Sequence, residues 1–318
     1  MLPILYTIFP FFALVLAGYV ALRRGLLPAT AVPALNSFVL YFALPCMLYR
    51  FGATTPIAQL LDARVFSVWL LCALVMVGVT VAVTRGPRIN WNDAAFGALV
   101  AAFPNTGFMG LPLLLTFLGP AAAGPVIITI AVDMVITSSL CIALSRLDGT
   151  GGAGARQALK TVFKSMAANP MPWAIVLGVI ASATGFGLPQ PIDRTVELLG
   201  NAASPVALFA IGAVLARAPI GNASQMPVAD YLPVALLKLI LHPLLVLAVA
   251  AGMKWMGLPL DPVAYTTLIL TAALPSASNV ALLAERFGAN TQRVARIIMV
   301  STVLSFLSFA AAVRLLVG

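Results

Sequence analysis

Apolar runs long enough to cross a bilayer follow one another from Leu2 to Leu316, with only short polar loops between them. In hydrocarbon every backbone N–H and C=O has to be satisfied within the chain, so runs of this length form helices. A span needs about 20 residues to cross about 30 Å of hydrocarbon. Ten such spans fit, at about Leu2–Leu22, Val32–Phe51, Val65–Thr84, Trp91–Leu118, Ala121–Ser145, Ala167–Gly187, Val196–Ala216, Tyr231–Trp255, Pro262–Phe287 and Val294–Leu316. The first run lacks a basic leading region and is too long for the apolar core of a signal peptide, so it is read as a span. A mean hydropathy of +1.06 excludes a soluble class.

The net charge of +9 does not point to nucleic acid, because the basic residues are scattered between apolar runs and form no aromatic-interleaved patch. Their distribution sets topology instead. Twelve Lys and Arg, among them Arg23, Arg24, Arg85, Arg88, Arg146 and Arg293, fall on one side of the ten-span arrangement. Five, Arg50, Arg64, Arg194, Lys254 and Arg314, fall on the other. The positive-inside rule puts the larger group in the cytoplasm and both termini outside, in a bacterial inner (plasma) membrane. Cys46, Cys72 and Cys141 all lie in apolar runs and read as packing residues, so neither a disulfide framework nor a metal site is expected.

Two places interrupt the apolar pattern. Phe103-Pro104-Asn105-Thr106-Gly107-Phe108-Met109-Gly110-Leu111-Pro112-Leu113 sets two prolines and two glycines in the middle of the fourth span. Proline removes a donor and clashes with the preceding turn, and glycine adds backbone freedom, so the helix breaks there. Leu274-Pro275-Ser276-Ala277 interrupts the ninth span in the same way. The two halves also match elsewhere: Gly18 and Pro45 have counterparts in Gly178 and Pro205, each 160 positions later. Five spans per half is an odd number, so the second half enters the membrane inverted. The expected fold is an all-α integral membrane protein of ten helices, built as two inverted five-helix repeats with broken crossover helices four and nine. Its parts are a first repeat over 1–145, a short cytoplasmic loop over 146–160 and an inverted second repeat over 161–318. Pro45 and Pro205 are expected to bend spans two and seven.

A half-helix that starts at mid-membrane presents unpaired N–H groups and a partial positive charge, which suits an anion. The candidate solute-binding residues are therefore Pro104, Asn105, Thr106, Gly107 and Gly110 at the first break, and Pro275, Ser276, Ser278 and Asn279 at the second. Asn105 is the expected main side-chain donor, and Gly107 and Gly110 allow close backbone approach. Asn105, Thr106, Ser276 and Ser278 are also types that cap helix starts. Ionisable residues inside spans usually mark function. Asp133 in span five, and Lys238 with His242 spaced i,i+4 in span eight, are candidates for proton or charge coupling; the alternative is an internal Asp133–Lys238 salt bridge.

The string FPNTGFMGLPLL from Phe103 to Leu114 resembles the fourth-helix signature of the auxin efflux carrier family, the PIN-like carriers and their bacterial relatives. AALPSASNVALLAERFG from Ala272 to Gly288 resembles that family's ninth-helix crossover. The resemblance covers nearly the whole chain. It implies a scaffold and transport-domain fold related to bile acid sodium symporters, a substrate site where helices four and nine cross, dimeric assembly and elevator-like alternating access. The short loop at Arg146–Lys160 lacks the long regulatory segment of plant members, so small carboxylates such as malonate or malate are expected rather than auxin.

Together these features predict a secondary transporter moving a small organic anion, with a homodimer and membrane lipid as partners, no nucleic acid and no cofactor. Proton coupling fits Asp133, Lys238 and His242. A sodium-coupled symporter of the bile acid type ranks lower, because the crossover offers amides, hydroxyls and carbonyls but no carboxylate before Glu285. An intramembrane enzyme is not expected: His242 is the only histidine, and no Gly-x-Ser-x-Gly elbow or metal-spaced cluster is present.

Overall fold

The computed structural model describes residues 2–147, 170–217 and 226–317. The expected loop over 146–160 lies outside the described residues from 148 onward, as does the start of the sixth span. The helices are α1 (Leu2–Arg23), α2 (Ala31–Thr54), α3 (Ala63–Thr84), α4 (Trp91–Ala102), α5 (Thr106–Leu118) and α6 (Pro120–Leu144) in the first half. The second half contains α7 (Pro170–Thr184), α8 (Gln190–Arg217), α9 (Leu232–Trp255), α10 (Pro262–Ala273), α11 (Asn279–Arg286) and α12 (Thr291–Leu316). Among the described residues seven of these, α1, α2, α3, α6, α8, α9 and α12, are long and apolar enough to cross a membrane on their own. The fourth and ninth expected spans are each two helices, because Phe103–Asn105 and Leu274–Ser278 are not helical.

Short polar side chains set several starts. Asp62 Oδ1 accepts from the N–H groups of Arg64 and Val65 at the head of α3, and Asn90 Oδ1 accepts from Asp93 N–H at the head of α4. Asp261 and Asn290 do the same for α10 and α12. Such caps satisfy amides that no preceding turn can reach. They also make α4 and α10 alike: each is a capped helix of 12 residues that ends directly before its break.

Among the described residues four helices carry a widened π-turn: Val39–Ala43 in α2, Thr106–Gly110 in α5, Asp133–Thr137 in α6 and Leu237–Leu241 in α9. Three of them are followed, two residues after the turn, by a proline: Pro45, Pro112 and Pro243. A proline ring clashes with the carbonyl four residues before it, and the i→i−5 bond of the residue just ahead opens the turn there. Leu44 N–H to Val39 O, Leu111 N–H to Thr106 O and His242 N–H to Leu237 O are those bonds. The helices therefore continue past their prolines. Pro205 differs, since it lies inside the unbroken α8 with no π-turn.

Packing divides the helices into two groups. α1 packs along α8, α7 packs along the second half of α2, and α2 and α8 meet each other. α3 packs on α4, α9 on α10, and α12 contacts α10, α11 and α9. Two close approaches in the first group depend on glycine. A Cβ on Gly18 would lie 1.8 Å from the Phe209 carbonyl oxygen, and one on Gly212 would lie 1.8 Å from that of Val15. Gly212→Val should overpack the α1–α8 seam and destabilise the fold by about 1–3 kcal/mol or more. The check is the thermal unfolding midpoint of detergent-purified protein. Gly78→Ala, where nothing lies within 4 Å of the new Cβ, should leave the midpoint unchanged.

Candidate functional site

The two breaks lie across each other. Asn105 N–H donates to the Pro275 carbonyl at 2.8 Å and Ala277 N–H to the Phe103 carbonyl at 3.0 Å, forming an isolated antiparallel bridge between Pro104 and Ser276. Each unwound segment thus satisfies the other's backbone. Two further amides have other acceptors: Thr106 N–H turns back to Pro104 O at 2.8 Å, and Ser276 N–H reaches Ser301 Oγ on α12 at 3.2 Å. Pro104, Asn105, Thr106, Pro275 and Ser276 are all buried.

This pairing shifts the free helix-start donors from where the residue types suggest them. The amides of Asn105 and Thr106 are taken. Among the described residues, the N–H groups of Gly107, Phe108, Ser278 and Asn279 have no protein acceptor. These four residues are also the partly exposed ones in an otherwise buried crossing. No side chain caps either start: Asn105 and Ser278 stand at the cap positions of α5 and α11 without making the cap bond. Ser276 Oγ and Asn279 Oδ1 are buried atoms without a partner, and Thr106 Oγ1 reaches only Pro104 O at 3.4 Å. Four backbone amides and the Ser276 hydroxyl, uncommitted to the protein, are a donor set for an anion. Gly110 is buried at the crossing, and a Cβ there would lie 2.4 Å from Leu274 Cδ1.

A narrow cleft of about 40 Å³ adjoins the crossing, lined by Phe108, Ser278 and Asn279 and by Asn36, Val39 and Ile211 of α2 and α8. The cleft therefore runs between the two helix groups. Ser204 Oγ of α8 donates to the Phe108 carbonyl across the same boundary at 3.1 Å.

The ionisable trio forms a separate buried cluster. Asp133 Oδ1 accepts from Trp69 Nε1 at 3.1 Å and Thr137 Oγ1 at 3.1 Å. Lys238 Nζ lies 3.0 Å from His242 Nδ1 and donates to the Ala272 carbonyl at 2.7 Å. The Trp69 and His242 rings lie 5.2 Å apart and join the two parts. No ion pair within 4.0 Å links Asp133 to Lys238. Asp133 Oδ2 and His242 Nε2 are buried without a partner. Asp133 and Lys238 each lie in a π-turn, as do Thr106, Gly107 and Gly110. Trp69, Thr137, Ser204, Ser301 and Asn36 are additions that residue type alone did not single out; Asn36, a polar residue inside an apolar run, carried the clearest signal.

Unwound backbone that is buried in a body of apolar helices, with free donors at helix starts, is the construction of a membrane transporter. The sequence profile described as "Membrane transport protein" matches residues 3–312, and the chain belongs to this family, the auxin efflux carriers. A Rhizobium meliloti (strain 1021) protein named "Putative malonate transporter" is 30% identical, over 94% of this chain and 91% of the relative. The Escherichia coli (strain K12) protein named "Uncharacterized transporter YfdV" is 28% identical, over 89% and 88%. "Auxin efflux carrier component 8" of Arabidopsis thaliana is 21% identical, over 81% and 84%. The chain is accordingly a multi-pass membrane transporter and not an enzyme.

Ser301→Ala should leave the buried Ser276 N–H without an acceptor and destabilise the protein by about 1–3 kcal/mol. Thermal unfolding of the purified variant beside wild type checks this.

Proposed function

We propose that this transporter is a secondary carrier of a small organic anion, a short carboxylate such as malonate or malate. The observation that carries the reading is the set of four free amides at Gly107, Phe108, Ser278 and Asn279, contributed by two crossing helix breaks. The solute carboxylate sits between the starts of α5 and α11, and Asn105 is the main side-chain donor. Ser276 and Ser278 supply hydroxyls from the other side. The name of the Rhizobium meliloti relative, at 30% identity, supports a dicarboxylate.

The proposed frame is ten spans in two inverted five-helix repeats, with α4–α5 and α10–α11 as the broken fourth and ninth spans. The equal lengths of α4 and α10, the cap before each, and the paired seams α1–α8 and α2–α7 support it. Alternating access proceeds as an elevator, the crossing moving with α3, α6, α9 and α12 against α1, α2, α7 and α8. The cleft and the Ser204–Phe108 bond lie on that boundary. Both termini face outward from a bacterial plasma membrane, and the functional unit is a homodimer. Proton coupling falls to Asp133 and His242, each of which keeps one buried polar atom unbonded.

Asn105→Ala removes a hydrogen bond to a charged solute, typically about 1.5–3 kcal/mol, so transport of labelled malonate or malate into proteoliposomes should fall at least about tenfold. Membrane expression should be kept; wild-type flux in the variant would sink the assignment. Replacing sodium by choline should leave wild-type flux unchanged, whereas a sodium symporter would stop.

A further inference from the structure

Lys238 meets a helix end. It lies fully buried in the π-turn of α9, and its Nζ donates to the Ala272 carbonyl in the last turn of α10. In an unbroken helix that carbonyl would accept from the N–H four residues on, which is Ser276. The break sends Ser276 N–H to Ser301 Oγ instead. The lysine therefore replaces the donor that the break removed, at the end of the helix where the macrodipole is negative.

Its surroundings hold it there. His242 Nδ1, 3.0 Å from the Nζ, is its second partner. Trp69 packs against the same ring from α3 and binds Asp133 on α6 through its indole N–H. Asp133 is the charged group facing the cluster from α6, and it does not come within 4.0 Å of Lys238. The first break lacks such a device: by the offset of Pro104 to Pro275 the matching carbonyl is Ala101, and among the described residues no side chain donates to it.

In ion-coupled carriers, half-helix C-terminal ends and unwound carbonyls coordinate the driving cation. We propose that Lys238 is a tethered hydrogen-bond donor at that place, a positioning residue that closes the end of α10 and so holds the Ser276–Asn279 side of the solute site. The assignment rests on the carrier reading above and says what sets that half of the site. It also separates Lys238 from the proton-carrying role given to Asp133 and His242. A clamp is needed in every solute movement, whereas a proton carrier is needed only where protons drive net uptake.

The test uses the full-length protein in proteoliposomes, with labelled malonate on one side and unlabelled malonate on both. Exchange at equal concentrations is compared with uptake driven by a proton gradient. Lys238→Met should lower both by at least about tenfold. Lys238→Gln, which keeps an N–H donor but no charge to titrate, should retain exchange within about threefold of wild type. Three results would overturn the proposal: unchanged exchange in Lys238→Met, loss of proton-driven uptake alone in that variant, or equal loss in a folded Lys238→Gln. If Lys238→Met does not purify as a folded protein, Lys238→Gln alone decides by the same threshold. Absence of malonate and malate exchange in wild type would count instead against the carrier reading.

Discussion

Backbone that leaves the helix inside an apolar body has to find other partners, because an unsatisfied N–H or C=O in hydrocarbon costs several kcal/mol. Here the two breaks supply each other. The bonds from Asn105 N–H to Pro275 O and from Ala277 N–H to Phe103 O make each unwound segment the partner of the other. Neither break is tenable alone, so the crossing fixes how α4, α5, α10 and α11 stand to one another. It also decides which amides remain for a solute, since every donor used in the crossing is withdrawn from the site.

Prolines act in two different ways in this chain. Pro104 and Pro275 end helices, and the chain crosses at those points. Pro45, Pro112 and Pro243 follow π-turns and leave their helices continuous, at the expense of a locally widened turn. A π-turn changes which face the following residues present, and it coincides here with Thr106, Gly107, Gly110 and Lys238. Asp133 lies in the one π-turn not followed by proline, where Ser138 Oγ doubles the bond to its carbonyl. Asp133 and Lys238 thus both lie where helix geometry is least regular.

Much of this was legible in the sequence because it depends on local chemistry. Apolar run lengths gave the helices, and proline and glycine in Phe103–Leu113 and Leu274–Ala277 gave the breaks. The choice of free donors was legible in part, since Gly107, Ser278 and Asn279 are among the candidate residues and Phe108 is not. Asn105 and Thr106 look like the donors of a helix start, yet the Thr106 amide turns back to Pro104 and the Asn105 amide is spent on Pro275, a pairing across 170 residues that residue type does not encode. The partner of Lys238 was hidden for a related reason. A backbone carbonyl carries no sequence signature, so Asp133 looked like the natural counter-charge, whereas Asp133 is held by Trp69 and Thr137. Pro205 sits inside the continuous α8 with no π-turn ahead of it.

The central claim is that two crossing breaks hold one carboxylate jointly. The most direct measurement is malonate affinity of the purified protein by calorimetry in a double-mutant cycle of Asn105→Ala and Ser278→Ala, one residue from each break. Groups that bind the same solute in one network show coupling of about 0.5–3 kcal/mol, so each single variant should weaken binding and the double variant should lose less than the two losses together. Wild-type affinity in either single variant, or strictly additive losses, would contradict the shared site.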